Sequence, residues 1–179
     1  MPVARDATNG PDVGQFEAFV REYQDMVYAV AVRLLANPAD AEDVAQTVFL
    51  KAYERFSEIA SHPAVAGWLK TVTTNLCINH LARYRSRWRL FSEMSDAGRD
   101  AVAQHAAPID IAAEADQADA HARLERALAR LPAHQRVPLV LFHFEHQSYQ
   151  DIARLLDVSL GKLKTDMHRG RAALREVLS

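Results

Sequence analysis

The stretch that most constrains the fold is residues 148–179, which reads as two short helices separated by a tight turn. Ser148 with Asp151 three residues later is a capping-box start, and Ser159 can cap a second helix after the break at residues 157–159. The second helix has an apolar stripe at three- and four-residue spacing. Outside that stripe lie Gly161, Lys162, Lys164, Thr165, His168, Arg169, Arg171 and Arg175. A short helix, a turn and a cation-rich helix form the helix-turn-helix that enters a DNA major groove, although a solvated amphipathic hairpin shares this pattern.

The first part of the chain predicts a helical module over residues 16–91. An apolar face repeats through residues 16–35, and Asn37-Pro38 ends that helix and starts the next, because Asn caps a helix and Pro favours its first position. The second helix, residues 39–56, leaves one face polar. That face carries Asp43, Gln46, Thr47, Leu50 and Glu54. An exposed leucine among acids and an amide fits a protein-binding face and a solvated face equally well.

A third helix is predicted from Ala64, after a loop at residues 57–63, and it leads into a basic run. The arginines of that run are Arg83, Arg85, Arg87 and Arg89. Short polar residues with poor helix propensity precede them, namely Thr71, Thr73, Thr74 and Asn75. Such side chains can reach bases, and arginines can neutralise phosphates. The nearby Trp68, Trp88 and Phe91 fit either stacking on bases or packing in the core.

Two segments break this helical pattern. Residues 1–15 hold turn formers without periodicity and predict a disordered tail, neither a signal peptide nor an anchor. Residues 92–119 are rich in alanine and acids, which predicts a flexible acidic linker. Helix resumes at His121 and is followed by another at residues 133–144, in which Pro138 should produce a kink or set the true start.

Composition excludes several classes of protein. Cys77 is the only cysteine, which rules out an internal disulfide and fits a reducing cytoplasm. The chain has no window apolar enough to insert in a membrane, no glycine-rich phosphate loop and no Ser/His/Asp set. His143 and His146 lack a third ligand for zinc. We therefore expect no metal, no cofactor and no enzymatic activity. The net charge of −2 does not suggest a nucleic-acid binder, but the charges are segregated along the chain.

Taken in order, these segments resemble the bacterial RNA polymerase sigma factors of the extracytoplasmic-function (ECF) group. The resemblance is carried by DAEDVAQTVFLKAY at residues 40–53, WLKTVTTN at 68–75, ALARLPAHQR at 127–136, SYQDIA at 148–153 and LGKLKTDMHRGR at 160–171. It implies an all-α protein of two small helical domains joined by the acidic linker. Residues 16–91 would be the region 2-like bundle, and residues 120–179 the region 4-like helix-turn-helix domain.

The resemblance also implies a role for each surface. Core RNA polymerase would be bound by Asp40, Asp43, Gln46, Thr47, Phe49 and Leu50. The −10 promoter element would be bound by Trp68, Lys70, Thr71, Thr74, Asn75, Asn79, Arg83 and Arg85, with Asn75 beside a flipped base. The −35 element would be bound by Ser159, Gly161, Lys162, Lys164, Thr165, His168, Arg169, Arg171 and Arg175. An anti-sigma factor would be a further partner.

Lys162, Asp166 and Gly170 depart from the family's usual residues. Asp166 stands where a basic residue is usual, so we expect a cation to be missing at the edge of the DNA groove. Gly170 stands where alanine is usual, which should cost up to about 1 kcal/mol of helix stability. Two rival hypotheses remain at this point. A free-standing helix-turn-helix regulator would bind duplex DNA alone, and an adaptor protein would depend on the face around Asp43 and Leu50 rather than on DNA.

Overall fold

The computed structural model describes residues 12–92 and 116–178, with side chains over 12–83 and 120–178. Within these ranges all regular structure is helical. The predicted all-α class is therefore confirmed. None of the described helices is both long and apolar enough to cross a bilayer.

The first module contains α1 (Val13–Leu35), α2 (Pro38–Glu54), α3 (Phe56–Ile59) and α4 (Val65–Ser92). Helix α1 begins earlier than predicted, because the Asp12 side chain caps it by accepting a hydrogen bond from the Gly14 N–H at 3.1 Å. The predicted tail is thus wrong for residues 13–15, and residues 1–11 lie outside the described range. The predicted boundary at Asn37-Pro38 is confirmed, since Asn37 Oδ1 accepts from the N–H groups of Ala39 and Asp40 at 3.0 and 3.3 Å.

Helix α3 is a single turn that begins at Phe56, the predicted end of the second helix, and covers the first three residues of the predicted loop at 57–63. Its end residues, Phe56 and Ile59, are both buried. Phe56 packs edge-on against the rings of Phe16 and Phe19 on α1, with centroids 5.3 and 5.4 Å apart. Apolar anchors at both ends of a four-residue segment hold it against the core, which period-based reasoning cannot detect over so short a length.

The core of the first module lies where α1, α2 and α4 pack on one another. Val27, Leu34, Val48, Leu69 and Cys77 are completely buried there. Burying each valine or leucine stabilises the fold by about 1.5–3 kcal/mol. This packing holds α1, α2 and α4 in fixed positions, each in contact with the other two.

The second module contains α5 (Asp116–Arg130), α6 (Ala133–His143), α7 (Tyr149–Leu156) and α8 (Leu160–Leu178). Helix α4 reaches Ser92 and α5 begins at Asp116, so helical structure extends into both ends of the predicted linker of residues 92–119. Residues 93–115 lie outside the described range. Pro138 is buried inside α6 and does not mark its start.

The predicted helix-turn-helix is confirmed. Ser148 Oγ accepts from the Asp151 N–H at 3.2 Å and donates to its carboxylate at 2.6 Å, so α7 starts with the capping interaction expected. Asp157 ends α7 in the left-handed conformation, with φ of 53°. Ser159 Oγ then accepts from the Lys162 N–H at 3.2 Å and starts α8.

Gly170 lies where α8 crosses α6. A Cβ atom at this position would meet Leu139 Cδ1 at 2.8 Å and Gln135 Cβ at 3.3 Å. Leu139 is itself buried in the core. The residue that looked like a weak point of the helix therefore permits the close approach of two helices.

The two modules also pack against each other, mainly through α1 of the first and α5 and α6 of the second. The most buried polar group of this contact is the Arg136 guanidinium on α6, which donates to Leu34 O and Leu35 O at the end of α1.

Candidate nucleic-acid and protein interfaces

The outer face of α8 presents an uninterrupted polar stripe, which we call the α8 stripe. It consists of Gly161, Lys164, Thr165, His168 and Arg169, all exposed. The opposite side of the helix buries Leu163, Met167 and Gly170. The spacing of the stripe is that of one helical face, so these predicted −35 residues do lie together. Apart from the adjacent residues and backbone of α8 itself, no atom lies within 4 Å of the position of a Cβ on Gly161, which leaves the backbone open to close approach.

Asp166 does not lie at the edge of this stripe, contrary to the sequence-based expectation. It is only 6% exposed and shares the inward side of α8 with Leu163 and Met167. Its Oδ2 accepts a hydrogen bond from Lys162 Nζ at 2.5 Å. The carboxylate therefore alters the helix by holding Lys162, not by occupying a DNA-facing position.

Arg171, like Lys162, is a predicted −35 residue whose side chain is engaged within the protein. It is partly buried, donates to Tyr149 Oη at 3.1 Å and lies 5.9 Å from the centre of the Phe142 ring. Burial and the Arg171 charge together lower the pKa of the nearby His143. Arg171 thus ties α8 to α6 and α7, while Arg175 and Ser159 remain exposed at either end of the α8 stripe.

Helix α4 exposes a second stripe, the α4 stripe, which consists of Thr71, Asn75 and Asn79. Their four-residue spacing places them on one face. Arg83, one turn further on, is also exposed, whereas Trp68 is half-buried. The Arg85 side chain lies outside the described side chains. Lys70 is half-buried, and its Nζ lies 3.9 Å from Glu145 Oε2 of the second module.

Thr74 is a correction to the predicted −10 set. Its side chain is only 3% exposed, and its neighbour Thr73 is fully buried and donates to Leu69 O at 2.7 Å. Both threonines face the interior of the first module, because this side of α4 packs toward α1 and α2. Thr74 therefore cannot reach a nucleic acid in this arrangement.

An apolar groove of about 870 Å³ runs between α1 and α2, and we call it the α1–α2 groove. Leu50 is 66% exposed at its side, and Gln46 and the partly buried Phe49 also line it. Asp43 and Thr47 are exposed next to it but do not line it. Asp40 points elsewhere, since its Oδ2 lies 3.3 Å from His80 Nε2 on α4, without hydrogen-bonding geometry.

Sequence reasoning missed the aromatic part of this groove. Phe16, Tyr28 and Tyr53 line it together with Leu50. Tyr53 is 41% exposed and meets the Phe16 ring edge-on at 5.0 Å. Tyr53 follows Leu50 by three residues on the polar side of α2, and that spacing was the available signal. The aromatic rings and Leu50 make much of the groove apolar, and Gln24, Asp25, Glu42 and Gln46 add polar groups to its lining. An apolar groove with such polar groups suits an amphipathic helix of a partner.

A second cavity, of about 390 Å³, lies between the modules, and we call it the intermodule cleft. Asn79 and Ala82 of α4 form one wall, and His134, Leu155, Lys162 and Asp166 contribute to the other. The α4 stripe and the start of α8 therefore meet at one place.

Comparisons with known proteins agree with this division of the chain. The family model described as Sigma-70 region 2 matches residues 19–87, and the model described as Sigma-70, region 4 matches residues 121–174. The ECF RNA polymerase sigma factor SigW of Bacillus subtilis is 29% identical over 93% of this chain and 90% of its own length. The RNA polymerase sigma-E factor of Streptomyces coelicolor is 32% identical over 93% of this chain and 88% of its own length.

A solved structure is similar as well. It is the co-crystal structure of the sigma factor RpoE with the anti-sigma factor NepR from Bartonella quintana. The alignment has a TM-score of 0.52 and 25% identity, and it covers 93% of this chain and 98% of the solved one. Family models, full-length relatives and fold lead to one conclusion: the chain belongs to the ECF sigma factors.

Proposed function

We propose that this ECF sigma factor binds core RNA polymerase in the cytoplasm and directs it to specific promoters, with one described surface for each task. The α1–α2 groove would bind the polymerase, the α4 stripe the melted −10 element, and the α8 stripe the −35 duplex. The protein supplies recognition and melting, and the polymerase supplies catalysis.

The α8 stripe suits major-groove recognition. A recognition helix contacts base edges with residues near its N-terminus, and the exposed Gly161, Lys164 and Thr165 lie in the first two turns of α8. Lysine and arginine pair with guanine O6 and N7, and a threonine methyl can contact thymine. Thr165 Oγ1 already donates to Gly161 O at 3.0 Å, which engages its hydroxyl proton within the helix and leaves the methyl group as a candidate contact for thymine.

The α4 stripe suits single-stranded DNA. An amide such as that of Asn75 can both donate to and accept from the edge of an unstacked base. Capturing such a base offsets the few kcal/mol that opening a base step costs. Arg83 and Arg85 would hold the adjoining phosphates, as the family resemblance implies.

The observation that carries the proposal is Leu50, which is 66% exposed beside an apolar groove. An exposed leucine beside a mainly apolar groove is typical of a protein-docking surface, whereas a solvated helix face does not require such a groove. This feature also disfavours a free-standing regulator, which needs no second protein. Since the similar solved structure is a complex with an anti-sigma factor, we include such a partner in the proposal.

The direct test is transcription with core RNA polymerase and genomic fragments, read as mapped transcript starts. Leu50→Asp should weaken polymerase binding about tenfold or more, because a charge replaces an apolar anchor at the interface. Leu178→Asp is the matched control, since Leu178 is also exposed, at 36%, but lies at the end of α8. Equal binding by the two variants, or an absence of specific starts with the wild type, would contradict the proposal.

A further inference from the structure

The first residue of α8, Leu160, is an apolar side chain on a polar part of the surface. It is 40% exposed, whereas Leu163, the other leucine in the first two turns of α8, is completely buried. The start of the helix is fixed at this point, because Ser159 Oγ accepts from the Lys162 N–H at 3.2 Å and Ser159 O accepts from the Leu163 N–H at 2.9 Å. Leu160 therefore has a defined place on the helix and is not part of the core.

Leu160 lies beside the α8 stripe. Lys164 follows it by four residues, and residues at that spacing are neighbours on the surface of a helix. The next residue, Gly161, has no side chain, and its backbone is open to close approach. A duplex that comes close to the backbone at Gly161 would therefore bring a base edge near the Leu160 side chain. A single exposed leucine needs no explanation by itself, but this position beside the DNA-facing stripe gives it one.

Leu160 also forms one side of a shallow hollow of about 490 Å³ between α7 and α8. Gln150, Ala153 and Arg154 of α7 line the other side. Gln150 and Arg154 are exposed, and their N–H groups are of the kind that donates to phosphate oxygens. In a helix-turn-helix the first helix crosses the DNA backbone while the second contacts base edges. The hollow thus has an apolar group on the base side and N–H donors on the backbone side.

An apolar side chain at a base edge selects for thymine. In the major groove thymine alone presents a methyl group, and the other bases present donors and acceptors of hydrogen bonds. A leucine cannot pair with those groups, and leaving them unpaired at a closed interface costs free energy. The polar members of the α8 stripe can read hydrogen-bonding edges, but they do not supply an apolar surface of this size.

We propose that Leu160 is a specificity-determining residue that contacts the 5-methyl group of a thymine in the −35 duplex, while Gln150 and Arg154 bind the phosphates next to that thymine. The inference rests on the proposed function and deepens it, because it names the base that the start of α8 reads. It predicts at least one thymine, on either strand of the −35 element, whose methyl group contributes to binding.

The test replaces thymine by deoxyuridine, which lacks only the 5-methyl group. The full-length chain is assembled with core RNA polymerase, and its affinity is measured for promoter duplexes taken from mapped transcript starts. Each thymine of the −35 element is replaced singly, on both strands. We expect one replacement to weaken binding by about two- to fourfold, the contribution of one buried methyl group. Leu160→Ala should bind the thymine and deoxyuridine duplexes equally.

Three further variants make the result specific. Leu160→Met keeps an apolar side chain of similar volume and should keep the preference for thymine. Val177→Ala is the matched control, since Val177 is also exposed, at 46%, but lies at the far end of α8; it should keep both affinity and preference. Arg154→Ala should weaken binding of both duplexes equally and reduce the salt dependence by roughly one charge. Circular dichroism checks that every variant retains its helix content.

The outcomes separate the role of Leu160 from the function of the protein. The proposal is overturned if no replacement in the −35 element weakens binding by the wild type, or if Leu160→Ala retains the preference for thymine. Either result, obtained with a polymerase that starts at specific sites, would leave the proposed function intact. If the assembled polymerase starts at no specific site, the proposed function is refuted, and the role of Leu160 with it.

Discussion

Replacing Gly170 and Gly161 by alanine, one at a time, should change stability in opposite directions although both glycines lie in α8. At Gly161 an added Cβ meets no atom within 4 Å beyond the adjacent residues and backbone of α8, so the alanine gains helix propensity worth up to about 1 kcal/mol. At Gly170 the same gain is opposed by a Cβ that would lie 2.8 Å from Leu139 Cδ1. Overpacking of this kind costs about 1–3 kcal/mol. We therefore expect Gly170→Ala to lower the free energy of unfolding by up to about 2 kcal/mol.

The assay is urea unfolding followed by circular dichroism. The free energies of unfolding of the wild type and both variants are compared with one common m value, the slope of that free energy against urea concentration. In thermal unfolding, 1 kcal/mol corresponds to a Tm shift of about 2–4 °C for a chain of this size. A double variant with Leu139→Val should lose less than the sum of the single losses, because a smaller neighbour makes room for the new methyl group. If Gly170→Ala stabilises the chain as much as Gly161→Ala does, the close crossing of α6 and α8 is wrong.

Three other predictions concern single side chains. Burial raises the pKa of Cys77 to about 12, so the thiol should resist iodoacetamide at pH 8 and react only when the chain unfolds. Mass spectrometry measures the alkylation, and rapid alkylation of the native chain would contradict the burial of Cys77. Asp166→Ala should free Lys162 for a phosphate and make the salt dependence of duplex binding steeper by roughly one charge, and an unchanged slope would mean that Lys162 never reaches the DNA. Asn75→Ala should slow promoter melting by roughly two- to tenfold without changing polymerase binding, because it removes amide hydrogen bonds to the captured base that contribute about 0.5–1.5 kcal/mol each. Permanganate footprinting measures the melting, and Ser61→Ala, at an exposed residue of the first module outside the α4 stripe, is the control that should melt the promoter normally.

The features that the sequence predicted correctly depend on contacts within a few residues. Caps at Asn37 and Ser148 involve partners two or three positions away, and the α8 stripe follows from helical periodicity alone. These interactions form wherever the helix forms. The local pattern therefore contains all the information that they need.

The features that were missed depend on tertiary neighbours. Asp166 and Thr74 are polar residues that are buried because another helix packs against their side of the chain. Sequence reasoning assigned both residues to the exposed face, because polar side chains usually lie there. The partner of Arg136 lies 102 residues away in the chain. The aromatic floor of the α1–α2 groove likewise combines residues of two helices, and no single helical pattern contains it.

Helices α2 and α4 pack directly on one another, and Asp40 and His80 approach each other across that contact. Protein cores are dense and resist deformation, so the two helices should move as one rigid body. A protein that binds the α1–α2 groove would therefore also fix the positions of Asn75 and Asn79. Attachment to a large enzyme would aim the DNA-contacting edge at a fixed spot, with no separate hinge to adjust.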